Sequence, residues 1–92
     1  MTQFQIETTF SLPEHKEYVL VGNITEGEIN KGAEIKNESK KIQNIVGSVE
    51  MVDSRNGTFL GLLINYDEIH ELQNLKLLVK GDTLMVKNPP LE

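Results

Sequence analysis

The segment Val21-Gly22-Asn23-Ile24-Thr25-Glu26-Gly27-Glu28-Ile29-Asn30-Lys31-Gly32-Ala33-Glu34-Ile35 sets how the rest of the chain is read. Glycines recur every five residues, at Gly22, Gly27 and Gly32, with an isoleucine two places after each of the first two. Lacking a β-carbon, Gly22 suits a strongly coiled strand, and Gly27 and Gly32 suit positive φ at successive hairpin turns. That arrangement points Ile24, Ile29 and Ile35 inward. It makes no phosphate cradle, because no G-x-x-x-x-G-K-[ST] is present and Gly27 is followed by an acid. These glycines shape a fold.

Outward from this segment the apolar residues keep a period of two, as in strands with one buried face. Upstream, Phe4, Ile6, Thr8, Phe10 and Leu12 alternate with polar neighbours until Pro13 begins a loop, and residues 18–25 resume as strand. Glu28-Ile29-Asn30 is expected as a short strand between two bends. Residues 33–36 start another, turned by Asn37-Glu38-Ser39-Lys40 into an element that carries Ile42, Val46, Val49 and Met51, with Gly47 as a bulge. Residues 53–58, containing Asn56-Gly57, are the strongest turn signal, and the apolar run 59–64 predicts a central strand. Ile69 and Leu72 predict one helical turn behind an Asp67 cap, and residues 75–79 and 83–86 complete the strands. The expected fold is all-β: a small closed antiparallel β-barrel, since an open sheet this small exposes edges that invite association.

Ninety-two residues fit one domain, here residues 1–88, with 89–92 expected as a disordered tail in which Leu91-Glu92 resembles a cloning scar. Fourteen acids against nine bases leave a net charge of −5, which argues against a generic polyanion binder and excludes DNA as an expected partner. Without cysteine there is no disulfide framework and no thiolate site. No basic leader and no apolar run of membrane-spanning length occurs, so a cytoplasmic location away from membranes is expected.

No catalytic constellation stands out. His70-Glu71 would need a histidine at position 74 to make H-E-x-x-H, and that position is Asn74. Ser48 lacks a G-x-S-x-G frame, and Asp53, Asp67 and Asp82 sit where turns use carboxylates. The expectation is a protein that is not an enzyme and holds neither cofactor nor metal.

The G-x-I-x-x-G-x-I-x-x-G pattern of residues 22–32 resembles the second, β-barrel domain of elongation factor Tu and related translational GTPases. Ser48-Val49-Glu50-Met51 resembles the next strand of that domain. Leu60-Gly61-Leu62-Leu63-Ile64 is similar to its V-G-L-L-L segment, and Val79-Lys80-Gly81-Asp82-Thr83-Leu84 to its R-G-x-x-L ending. The nucleotide chemistry of that family lies in a different domain. The resemblance implies contact with tRNA or ribosomal RNA, with Asn65 and Lys80 standing where the family carries arginines. Lysine lacks the planar fork that arginine offers a phosphate.

Candidate RNA- or partner-binding residues are therefore Lys31, Lys36, Lys76, Lys80 and Asn65, with Lys40 and Lys41 beside them. The plain alternative is a solvated strand face. Only five aromatic residues are present, and Phe4, Phe10 and Phe59 are expected in the core, so a base-stacking platform is poorly supplied. The expected function is a free-standing, non-catalytic binding module acting through a protein or ribonucleoprotein partner. The alternative is an RNA-binding accessory factor in translation, and a third reading is an enzyme or small-ligand carrier. An exposed apolar patch favours the first, a basic stripe the second, and a polar pocket with converging carboxylates the third.

Overall fold

The computed structural model describes residues 2–55 and 57–90. Leu91-Glu92 and Asn56 of the turn signal lie outside them. Among the described residues seven strands form one antiparallel sheet: β1 (Thr2–Leu12), β2 (Glu17–Glu26), β3 (Glu34–Asn37), β4 (Ile42–Ile45), β5 (Ser48–Ser54), β6 (Gly57–Asn65) and β7 (Thr83–Lys87), with a 3-10 turn at Pro13–His15 and one helix, α1 (Ile69–Leu75). Their order is β4-β3-β7-β1-β2-β6-β5. The all-β expectation holds.

The barrel is not closed. The edge strands β4 and β5 are consecutive in the chain and joined by Val46 and Gly47 alone. Seven strands laid flat would hold their outer pair about 29 Å apart, a gap no two-residue link can span. The sheet therefore curls, and its edges meet end to end at a corner instead of side by side in a ladder. Gly47 marks this corner, not a bulge within a strand. Its N–H donates to the Leu63 carbonyl, and the Val46 N–H donates to the Ala33 carbonyl.

Residues 75–79 form no strand. Leu72, Leu75 and Leu78 are spaced three apart and all buried, so the segment follows the helical period and leaves Leu77 and Val79 exposed. The helix is longer than the single turn expected. Glu68, not Asp67, is its N-cap, and the Asp67 N–H donates to the Glu71 carboxylate. Residues 28–30 are also not a strand, though Ile29 is buried there. Asn88 ties this loop down, accepting from the Asn30 N–H and donating to the Glu28 carbonyl.

The concave side of the sheet holds the core, in which Phe4, Ile6, Leu20, Ile35, Leu62, Ile64, Leu75 and Leu84 are fully buried. Ile24 is only partly buried against it. Gly27 and Gly32 have φ of 81° and 88°, as their turn roles require.

Candidate functional site

The outer side of the sheet acquires its character from one extra residue. Ile6 pairs with Gly22, but Thr8 pairs with Val21, so Glu7 is a bulge on β1. Gly22 makes room for it, since a β-carbon there would run into the Gln5 carbonyl oxygen. A single inserted residue inverts every side chain after it. Phe4 and Ile6 face the core, whereas Thr8, Phe10 and Leu12 face outward. Phe10 is therefore not a core residue and stands 45% exposed.

Cross-strand pairing sets Phe10 beside Val19, and Val19 beside Leu63. On the next row Val21 lies opposite Gly61, and beyond it Val52 lies opposite Phe59. Val19 and Val21 are 3% and 4% exposed, yet neither belongs to the interior cluster. Their neighbours on the outer face cover them. A β-carbon on Gly61 would stand 3.0 Å from Val52 Cγ2 and 3.6 Å from Val19 Cγ1, so the bare glycine lets these two side chains lean together. Phe10, Leu12, Val52, Phe59 and Leu63, all incompletely buried, form an apolar surface around the two valines.

The strands that bear this face carry charge of one sign. Strands β1, β2, β5 and β6 contain no lysine or arginine, but they carry Glu7, Glu17, Glu26, Glu50 and Asp53. The bases lie on the other strands and in connections, where carboxylates attend several of them. Lys36 Nζ is 3.7 Å from Glu38, and Lys80 Nζ is 3.1 Å from Glu7. Lys40 donates to the Leu77 carbonyl at 2.6 Å and to Asp82 at 2.5 Å. That ammonium, with the Val79 N–H, holds the Asp82 carboxyl below its ordinary range.

The predicted lysines do not form one stripe. Lys31 is in the turn before Gly32, whose N–H donates to Val46, while Lys76 and Lys80 are exposed in the connection between α1 and β7. Lys36 is on β3. Asn65 is at the end of β6, opposite Glu17, at the margin of the apolar face. It also borders the corner, its side-chain nitrogen lying where a β-carbon on Gly47 would fall.

A polar cleft runs between β4 and α1 and is lined by Lys41, Gln43, Asn44, His70, Glu71 and Asn74. It holds a single carboxylate. His70 Nδ1 sits 3.0 Å from Glu68 on the exposed start of the helix. Among the described residues no group of three His, Asp or Glu side chains is placed to hold a metal ion, and no helix is long and apolar enough to cross a membrane.

The sequence reading missed Val19, Val21, Val52 and Leu63 as surface-forming residues. Their signal was present: residues 18–21 and 59–64 are apolar at both parities, which requires two apolar faces, whereas the chain supplies interior for only one. Comparison of the chain with protein-family models, with curated proteins and with solved structures finds no match.

Proposed function

We propose that this protein is a cytoplasmic, non-catalytic binding module that takes a protein partner on the outer face of β1, β2, β6 and β5. One observation carries the reading: Phe10, Leu63, Phe59 and Val52 gather over Val19 and Val21 into a contiguous apolar surface, with no base on the strands that bear it. Contiguous apolar surface rimmed by polar residues marks sites of association. A non-catalytic role suits side chains already used structurally, such as Asp82 on Lys40 and on the Val79 N–H. The likeness to the second domain of elongation factor Tu belongs to the same proposal and rests on the glycine-spaced segment and the order of the segments after it.

The test is a photo-crosslinking amino acid placed at position 10 or, as a control, at position 36, followed by irradiation in an extract of the source cells. The reading expects a discrete protein adduct from position 10 and none from position 36. RNA captured at position 36, with no adduct at position 10, would favour an RNA-binding accessory factor instead.

A further inference from the structure

Of the two sheet edges, only one is shielded. β4 has four residues and faces α1 across the polar cleft, whereas β5 runs for seven and pairs on one side only, with β6. Folded proteins usually blunt such an edge with lysine, proline or a bulge. β5 has no lysine, proline or bulge, and its charges are two carboxylates: its sequence is Ser-Val-Glu-Met-Val-Asp-Ser, and its register with β6 is unbroken from Ser48 to Ser54. Alternate N–H and C=O groups of β5 therefore point away from the sheet.

From the unshielded edge, its charge and its continuity with the apolar face, we infer that β5 accepts an extended segment of a partner protein as an eighth antiparallel or parallel strand, one with apolar residues alternating with lysine or arginine. The inference rests on the binding-module reading and deepens it by naming the edge and the partner's chemistry. Strand addition gains affinity from main-chain hydrogen bonds and selectivity from alternate side chains. Here Val52 continues the apolar face at the edge, and Met51, on the opposite face, is 69% exposed and ready to be covered. Glu50, on the Val52 face, is exposed and has no ion pair among the described residues, whereas Asp53, on the Met51 face, accepts a hydrogen bond from the Thr58 hydroxyl. Glu50 calls for cations on that face of the incoming strand, as opposite charges on paired strands attract, while the alternate apolar residues lie on the face of Met51. A second copy of this chain fits poorly, because its β5 brings the same two acids and no base.

The experiment uses the whole chain and a capped octapeptide of alternating valine and lysine. Its twin with glutamate in place of lysine and a form N-methylated at alternate residues serve as controls. Amide exchange and chemical shifts are followed by NMR at low and physiological salt. The valine–lysine peptide is expected to slow exchange of alternate amides within Ser48–Ser54, and to bind at least about tenfold more weakly to Glu50→Lys. The conservative Glu50→Gln should give a smaller loss, and salt should weaken binding. Equal binding of the N-methylated or glutamate peptide, or protection confined to other strands, would overturn the inference. So would a concentration-dependent dimer that protects β5 without peptide. A protein adduct at position 10 with β5 still unprotected would refute strand addition while leaving the outer face as the contact. Absence of any adduct at position 10 would remove both.

Discussion

Replacing Phe10 and Leu62 by alanine, separately, tests the bulge at Glu7 on which the outer face depends. Leu62 sits in an apolar run and Phe10 in an alternating strand, where a strict period of two starting from Phe4 would put Phe10 inside with Ile6. In that arrangement Phe10→Ala would cost about 3–5 kcal/mol, the range for deleting a buried aromatic ring. The structure gives a smaller number. Full burial of such a side chain is worth about 1.5–3 kcal/mol, and with 45% still exposed about half of that is at stake, roughly 0.8–1.6 kcal/mol with no closed cavity left behind. Leu62, fully buried between β2 and β5 on the inner face, should cost about 2–5 kcal/mol. Urea unfolding followed by far-ultraviolet circular dichroism separates the cases. With a slope of about 1.5 kcal/mol per molar urea, the midpoint should fall by about 0.5–1.1 M for Phe10→Ala and by more than about 1.3 M for Leu62→Ala. A loss for Phe10→Ala that equals or exceeds the loss for Leu62→Ala would refute the inverted phase and return Phe10 to the core.

Gly27→Val and Gly32→Val should each lose about 1–2 kcal/mol, because φ of 81° and 88° is costly once a β-carbon is present; unchanged thermal midpoints would contradict the turn geometry. Asp82→Asn should cost about 1 kcal/mol at pH 7, the value of a charge-assisted contact discounted for partial exposure. Because Lys40 and the Val79 N–H lower the folded-state pKa of Asp82, its contribution is present above the unfolded value of 3.8 and fades as pH falls through the lower folded value. The gap between wild type and Asp82→Asn should therefore close in acid, and a gap that widens there would disprove the linkage. In titrations with structured and single-stranded RNA at physiological salt, we expect only weak binding; submicromolar affinity abolished by Lys80→Glu would restore the RNA reading.

The chain's own residues determine the strand-rich class and much of its punctuation. Alternation in residues 2–6, the glycine turns at Gly27 and Gly32 and the Asn37–Lys40 connection all follow from local period and backbone freedom, which act within a few residues. Apolar residues at both parities of β2 and β6 also announced a second apolar face, although not which residues would share it. Tertiary structure decided the rest. Whether one strand carries an extra residue depends on the partner across from it, and the Glu7 bulge opposite Gly22 and Val21 inverts Phe10 in a way β1 alone does not reveal. Leu75, Leu77 and Leu78 fit a strand or a helix equally well by content, and the interior chose the three-residue spacing that buries Leu72, Leu75 and Leu78 together. The sheet stays open and β5 remains an edge, because closure is a property of how distant strands meet and no local pattern encodes it.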